Sequence, residues 1–274
     1  MIIDSHLHVW SDDEGRYPFG GPGRPDQSAT VELLNATMAG AGVQHAVIVQ
    51  PIYYTFDNRY VSDCLRTFPG KFAGVGLVNP TAPDAPDRLE ALVDEHGFCG
   101  IRLHLNRYGD PSGLAARDKD PLWRRAQDLG SCITFFGSPE SHLAMEPILR
   151  RFPGVKVVID HLGGVPPTDN PLDPPLSGLL NLARHPNVFI KVSNVGSRSR
   201  EPYPHRDAFP VVRRVLDAFG PPRMMWGTDF HHVLRTCGYS GALELVRKHM
   251  DFLTEEDRSW ILWRTARKVW KFGA

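Results

Sequence analysis

The feature that most constrains the fold is an alternation of two kinds of segment along the 274-residue chain. Short apolar runs predict eight strands, at 2–6, 46–50, 72–78, 100–104, 132–136, 156–160, 188–193 and 224–227. Most runs are nearly continuous in apolar residues, which is typical of parallel strands covered on both faces. Longer segments between them predict helices, at roughly 30–41, 57–68, 84–95, 119–129, 139–151, 174–185, 206–218 and 241–271.

Eight β/α repeats in about 250 residues predict a closed (β/α)₈ TIM barrel of class α/β, with an additional C-terminal helix. The alternative is an open doubly wound sheet, but no G-x-G-x-x-G follows the first strand. Pro147 is expected to kink or restart the helix at 139–151. Thr254 and Asp257 fit a capping box that opens the last helix. No linker divides the sequence, so we expect a single domain over 1–274.

Charge and cysteine content exclude several classes of protein. Lys plus Arg is 31 and Asp plus Glu is 31, so the net charge is zero and gives no electrostatic basis for nucleic-acid binding. No apolar stretch approaches the roughly 18 residues of a membrane helix, and the first residues do not resemble a signal peptide. The 4 cysteines are widely spaced, which indicates neither a disulfide framework nor a zinc knot. We expect a cytoplasmic protein whose partner is a small molecule, with no nucleic acid and no membrane.

Chemically active side chains collect where the predicted strands end. In a β/α barrel, the active site lies at the carboxyl ends of the strands. The side chains at those ends, in strand order, are His6 and His8, Gln50, Asn79, Arg102 and His104, Phe136 and Ser138, His161, Lys191 and Ser193, and Asp229 with His231 and His232. Counting one of the pair His231 and His232, five histidines and one aspartate therefore converge on one rim, which predicts the functional site.

The positions of these residues suggest their chemistry. His6 and His8 lie two apart on a strand, so both imidazoles point the same way and can hold a divalent cation or bond a substrate oxygen. Asp229 should face them when the barrel closes, where a carboxylate can bind a metal or accept a proton from water. His161 can donate or accept a proton. The plainer alternatives are that the histidines only fill the barrel end and that Asp229 caps a helix.

Charged residues on barrel strands need partners. Arg102 and Lys191 would find one in an anionic substrate or in a buried ion pair with Asp229 or another acid. We expect Arg102 to grip an anionic group on the substrate, because its guanidinium suits a carboxylate. The expected substrate-binding residues are Arg102, His104, Lys191, Ser193 and His231.

Several motifs together carry a family resemblance. They are Ile3-Asp4-Ser5-His6-Leu7-His8-Val9-Trp10, Arg16-Tyr17-Pro18, Asp160-His161-Leu162-Gly163, Lys191-Val192-Ser193 and Trp226-Gly227-Thr228-Asp229. From residue 2 to about residue 270, the chain resembles the amidohydrolase superfamily and, more narrowly, its amidohydrolase 2 branch of TIM-barrel hydrolases. That branch includes sugar-acid lactonases and the 2-pyrone-4,6-dicarboxylate lactonase.

The resemblance implies a metal, although one usual ligand is missing. Members with a full site supply a His or modified Lys from strand four or five, whereas strand five here has no histidine and strand four offers His104. We expect one divalent ion, zinc ahead of manganese, held by His6, His8 and Asp229, with His161 or His104 completing the set. In the metal-free alternative, the histidines hydrogen-bond the substrate directly.

The resemblance also implies a reaction. The leading expectation is hydrolysis of a lactone of a small anionic or polyhydroxylated metabolite, with Asp229 as general base and His161 stabilising the oxyanion or protonating the leaving oxygen. A second possibility is metal-dependent non-oxidative decarboxylation, which usually needs the missing strand-five histidine. A third is a catalytically silent barrel that binds a metabolite.

Overall fold

The computed structural model describes residues 1–272, so the last two residues of the expected domain lie outside it. Eight parallel strands follow one another in chain order, each hydrogen-bonded to the next. The strands are β1 (Ile3–Leu7), β2 (His45–Val49), β3 (Phe72–Gly76), β4 (Phe98–His104), β5 (Cys132–Phe136), β6 (Lys156–Ile159), β7 (Val188–Val192) and β8 (Met224–Trp226). A parallel bridge between Leu7 and Phe230 joins the segment after β8 to β1, which confirms the predicted barrel.

Helices surround the barrel on its outer face. They are α1 (Val31–Ala41), α2 (Arg59–Thr67), α3 (Ala85–Asp94), α4 (Asp120–Asp128), α5 (Pro139–Ala144), α6 (Glu146–Arg151), α7 (Pro174–Asn181), α8 (Phe209–Phe219), α9 (Gly238–Glu244), α10 (Glu255–Ser259) and α11 (Thr265–Val269). Short 3₁₀ turns lie at Ile52–Tyr54, Pro111–Ala115, Arg117–Lys119, His161–Gly164, Leu182–Arg184, Val195–Ser197, Arg206–Ala208, Pro221–Arg223 and His232–Arg235. Single π-helical turns, Leu245–His249 and Trp260–Arg264, continue α9 and join α10 to α11. Within residues 1–272, no helix has the length and apolarity to cross a membrane.

Two predicted helices are each divided in the structure. The segment 139–151 restarts at Met145, and Pro147 lies in the first turn of α6, where its missing N–H costs nothing. The segment 241–271 breaks around Met250, whose φ of −83° and ψ of 76° are not helical. The chain resumes a helix at Thr254, where the expected capping box with Asp257 is present.

The lower half of the barrel interior is apolar. Ten strand residues form one cluster inside the barrel, namely Ile3, Val47, Val49, Ala73, Val75, Cys99, Cys132, Val158, Phe189 and Met225. Ala266, Val269 and Trp270 join this lower cluster. Lys156 Nζ, at the start of β6, donates to the Lys268 carbonyl, so the C-terminal segment covers the amino ends of the strands. The expected C-terminal helix therefore closes the barrel floor as well as packing outside it.

An irregularity in β1 aims the histidines inward. Between Asp4 and Leu7, β1 has one more residue than the paired stretch of β2, a β-bulge. Ile3 belongs to the lower cluster, yet His6, three residues later, also faces the interior and contacts Lys191 of β7. A regular strand would place residues three apart on opposite faces. The bulge thus lets His6 and His8 lie above Ile3.

Candidate functional site

Three strand ends bring a nitrogen- and oxygen-rich cluster together. His6, His161 and Asp229 each offer one ligand atom, and these atoms all lie within 4.8 Å of one another. Asp229 Oδ1 lies 3.5 Å from His6 Nε2 and 3.4 Å from His8 Nε2. The structure therefore brings strand eight to the histidines of strand one. The three residues whose ligand atoms lie closest together include His161, whereas the sequence suggested His8 as the third metal ligand. His6 and Asp229 belong to both sets.

The hydrogen bonding of His8 leaves an acceptor pointing into the cluster. His8 Nδ1 lies 2.7 Å from the Val49 carbonyl oxygen, which can only accept, so this nitrogen carries the hydrogen. In the neutral ring, Nε2 is then an acceptor that faces a second acceptor, Asp229 Oδ1. Two acceptors at 3.4 Å are stabilised only by a proton, a water molecule or a cation between them.

His6 lies between a buried acid and a buried base. Its Nδ1 is 2.9 Å from Lys191 Nζ and 3.2 Å from Asp160 Oδ1. An ammonium group only donates, so Lys191 favours the tautomer of His6 that carries its hydrogen on Nε2. Asp160 favours the other tautomer, which leaves Nε2 free to bind a metal. Both His6 Nε2 and Asp229 Oδ1 are buried without a hydrogen-bond partner among the described residues. These orphaned atoms fit a divalent ion.

Asp160 is the centre of the buried charges. Its carboxylate pairs with Lys191 (2.9 Å) and with the Nε of Arg102 (3.0 Å). Burial raises the pKa of Asp160, but Lys191, His6 and Arg102 outweigh that effect and hold it well below its ordinary value. Arg102 therefore finds its partner in an acid of the protein. This ion pair with another acid is one of the two possibilities that the sequence left open, and it uses only the Nε of Arg102. Contact between the guanidinium and a substrate stays a prediction.

Burial keeps the imidazoles of the site neutral. It lowers the pKa of His8 to about 3, of His104 to about 3 and of His161 to about 4. Burial, together with the charge of Lys191, lowers the pKa of His6 well below its ordinary value. Burial also raises the pKa of Asp229, which makes this carboxylate a stronger base than an exposed one.

A tight turn presents His161. His161 and Leu162 have φ values of 53° and 52°, a left-handed conformation that only surrounding contacts can maintain for such residues. Gly163 follows at φ 64°, where a side chain would meet Leu179. His161 Nδ1 bonds to the Ser193 hydroxyl at 2.9 Å, which orients the ring and leaves Nε2 for the cluster. Ser193 thus acts on the site through His161.

A cavity of about 500 Å³ opens above the cluster. It is lined by His8, Pro51, Ile52, Tyr53, Arg102, His104, Phe136, His161, Asn194, Ser197, Asp229, His232, Arg235 and Thr236. Of the expected substrate-binding residues, Arg102 and His104 line it. Lys191, Ser193 and His231 do not: Lys191 and Ser193 lie beneath His6 and His161, and His231 packs on the Trp10 ring at 5.4 Å.

Two residues of the site carried no role in the sequence analysis. Asp160 directly precedes His161, and an acid that ends an otherwise apolar strand was the available signal. His232 lines the cavity with its ring 5.9 Å from that of His8, whereas its neighbour His231 faces away. The sequence offered the pair His231 and His232 without a way to choose between them.

A larger cavity, of about 750 Å³, lies beside α2 and α3. It is lined by four arginines that pair with neighbouring aspartates, as in Arg59–Asp57 and Arg88–Asp84. None of His6, His161 and Asp229 borders it. Chemistry, rather than size, therefore assigns the site to the smaller cavity.

Comparison with known proteins agrees with this site. The chain is 31% identical over 248 residues to an L-fucono-1,5-lactonase from Burkholderia ambifaria, which spans 87% of this chain and 83% of that protein. It is 26% identical to a 4-sulfomuconolactone hydrolase from Hydrogenophaga intermedia, over 84% of this chain and 74% of that protein.

Solved structures share the fold over nearly the full length. A Pseudomonas putida protein provisionally named 2-pyrone-4,6-dicarboxylic acid hydrolase superposes with a TM-score of 0.84 at 26% identity, covering 98% of this chain and 96% of its own. An amidohydrolase from Burkholderia multivorans, crystallised with bound zinc, superposes with a TM-score of 0.79, covering 98% of both chains. At 22% identity, this second likeness concerns the fold.

The family model described as amidohydrolase matches residues 3–272, from the strand that carries His6 and His8 to the segment that closes the barrel floor. That match takes in all eight strands and each residue of the cluster. The chain belongs to the amidohydrolase family.

Proposed function

We propose that the protein is a lactone hydrolase whose substrate is a polyhydroxylated lactone without a charged substituent. The observation that carries the proposal is the buried carboxylate of Asp229, with two imidazole Nε2 atoms 3.4 and 3.5 Å from its Oδ1 at the floor of the cavity. A base beside hydrogen-bonding groups is what addition of water to an ester carbonyl requires. The named lactone hydrolases among the relatives support this reaction class.

The side chains divide the reaction between them. Asp229 accepts a proton from the attacking water, and burial, which raises its pKa, strengthens it for this role. His161, oriented by Ser193, donates a hydrogen bond from Nε2 to the oxygen that gains negative charge. The proton that Asp229 takes from water then passes to the leaving ring oxygen. His6, gripped by Lys191 and Asp160, fixes the position of Asp229. Ring opening then yields the hydroxy acid.

The metal proposal rests on the donor set. His6, His161 and Asp229, with His8 adjoining them, would hold one divalent ion, zinc ahead of manganese. With the ion bound, His161 Nε2 would be a ligand and would no longer donate to the substrate oxygen. When bound there, the ion would polarise the lactone carbonyl and make the attacking water more acidic. Asp160 would support His6 from behind by accepting its Nδ1 hydrogen. Elemental analysis of purified protein, followed by chelation and restoration with zinc or manganese, tests this. Full activity in metal-free protein would favour direct hydrogen bonding by the histidines.

Charge balance around the cavity supports an uncharged substrate. Lys191 and Arg102 both pair with Asp160, and the charge of Asp229 also acts on Arg102. Arg235 binds Asp26 through one nitrogen 2.6 Å from each oxygen. Among the described residues, the cavity lining thus has no cation without a partner. The rest of its polar lining is neutral and suits hydroxyl groups, with His104, Asn194, Ser197, His232 and Thr236.

The test is a lactone panel with proton release as the readout. L-Fucono-1,5-lactone and other sugar lactones should be hydrolysed with kcat/KM at least about tenfold above that for 2-pyrone-4,6-dicarboxylate, since each unmatched buried charge costs more than that factor. Preference for the dicarboxylate would overturn the substrate class. Carbon dioxide release from carboxylated aromatic acids, without lactone turnover, would overturn the reaction.

The proposal treats residues 1–274 as one domain that acts in the cytoplasm on a small molecule. The four cysteines are free, as expected in a reducing compartment. Localisation of a tagged chain in cell fractions tests the compartment.

A further inference from the structure

The seam between β8 and β1 is closed by side chains as much as by backbone. β8 has only three residues, and its contact with β1 continues through the loop that carries Asp229. The Asp229 N–H donates to the His6 carbonyl at 2.8 Å, and the His8 N–H donates to the Phe230 carbonyl at 2.6 Å. Asp229 and the histidines therefore lie on opposite sides of one seam, and any change in its width changes their separation.

Asp4 ties the two sides of this seam together. Its Oδ1 accepts the backbone N–H of His6 (3.1 Å) and that of Thr228 (3.0 Å), while its Oδ2 accepts the Thr228 hydroxyl (2.5 Å). The same hydroxyl oxygen accepts the Phe230 N–H at 3.0 Å. Asp4 and Thr228 are fully buried and do not line the cavity. Asp4 thus binds the backbone of His6 and of Thr228, and the Thr228 hydroxyl extends this link to the Phe230 N–H on the other side of Asp229.

The held segment is one that needs support. Asp229 has a φ of 60°, a left-handed conformation that a residue with a Cβ rarely adopts. The Thr228 hydroxyl bonds to Asp4 and to the Phe230 N–H, so it fixes the residues on both sides of Asp229. Gly227 allows the close approach, because a Cβ there would lie 2.7 Å from the His6 Cβ. Backbone geometry at Asp229 is therefore set by groups that never touch the cavity.

We propose that Asp4 and Thr228 form a clasp of two positioning residues that sets the separation of Asp229 from His6 and His8. The inference rests on the proposed function for its kinetic readout alone. Opening the clasp displaces Asp229 from the histidines while leaving the rest of the cavity lining in place. Its effect therefore falls on kcat and spares KM.

The test compares Thr228→Val with Thr228→Ser. Valine keeps the shape of threonine but removes the hydroxyl, and serine restores the hydroxyl. Because a misplacement of about 1 Å in a catalytic group costs on the order of 10²-fold in rate, we expect Thr228→Val to lower kcat by about 30-fold. KM should stay within about twofold of wild type, and Thr228→Ser should retain kcat within about threefold. Asp4→Asn, which weakens the same bonds, should resemble the valine variant.

A crystal structure of Thr228→Val supplies a readout independent of substrate. The distance from His6 Nε2 to Asp229 Oδ1 should exceed its value in the wild type by more than about 0.5 Å, the tolerance of a productive site. An unchanged distance, a wild-type kcat, or equal losses in the serine and valine variants would overturn the clasp. If Thr228→Val does not fold, Asp4→Asn is judged by the same two measurements. Failure of the wild-type protein to hydrolyse any lactone would instead overturn the proposed function, and the crystallographic comparison would still decide on the clasp.

Discussion

The upper and lower halves of the barrel interior are built on the same strands with opposite chemistry. On β7, Phe189 belongs to the lower cluster, and Lys191, two residues later, carries a buried charge. The two halves meet at Lys191, whose Nζ lies 2.9 Å from Asp160 above and 5.3 Å from the centre of the Trp270 ring below.

The difference between the halves separates stability from chemistry. Each large apolar side chain of the lower cluster stabilises the fold by about 1.5–3 kcal/mol. Burying a charge costs several kcal/mol before its partners compensate, so the upper half is stable only as a complete network. Removing a charge from the upper half should therefore cost activity and stability together, whereas removing a member of the lower half should cost stability alone.

The largest expected effect is in the upper half, at Asp229. Asp229→Asn keeps the shape of the side chain but cannot accept a proton from water. We expect turnover to fall by about 10³-fold or more, the upper part of the range for a general base. The measurement is kcat with the best lactone, with a circular dichroism spectrum to show that the fold is intact. Activity within tenfold of wild type would remove Asp229 from the mechanism.

Lys191 lies at the boundary, so its replacement should affect both properties. Lys191→Met keeps the length but leaves Asp160 without its closest cation and His6 Nδ1 without its donor. We expect a loss of about 3–5 kcal/mol in unfolding free energy and a fall in kcat of roughly 10- to 100-fold. Denaturant unfolding and kinetics measure the two. A variant that loses stability but keeps full kcat would assign Lys191 to the lower half alone.

Trp270 tests the lower half. It is 2% exposed, and Trp270→Ala leaves a cavity at the barrel floor. The expected cost is about 3–5 kcal/mol, which lowers Tm by roughly 10 °C in a chain of this size. Assayed well below that Tm, kcat should stay within about threefold of wild type. A much larger fall in kcat would show that the floor also positions the site.

The smallest effect is expected in the pH dependence of stability. Burial lowers the pKa of His104 to about 3, and the unfolded chain titrates near 6.5. As pH falls through this window, the unfolded state binds a proton that the folded state excludes, so stability falls. Tm should decline between pH 7 and pH 5, less steeply in His104→Gln. Equal slopes in the two proteins would show that His104 takes up a proton in the folded state.

The strands were predictable because a parallel strand buried on both faces is recognised from its own short run of apolar residues. Cys132–Phe136 has the bounds that the sequence indicated, and every other strand differs by a few residues at its ends. Helix divisions were harder, since the breaks at Met145 and Met250 depend on how each segment packs. A proline and a capping residue indicated where the second helix of each segment begins. They did not show where the first helix ends.

The site was predictable in its location and less so in its contacts. The carboxyl ends of parallel strands meet at one rim, so the sequence alone predicted that His6, His161 and Asp229 lie close together. Which acid partners Arg102 and Lys191 depends on side-chain reach across the barrel. An alternation pattern cannot show that Asp160 receives both charges, or that His232 rather than His231 faces His8.

The bulge in β1 has a consequence for anyone who would build such a site elsewhere. Ile3 and His6 face inward only because one surplus residue lies between Asp4 and Leu7. With the same letters and one residue fewer, the two imidazoles would turn outward to the helices, away from Asp229. A designer who grafts His-x-His onto another barrel must therefore transfer the bulge together with the histidines, because the extra residue decides which face of the strand they occupy.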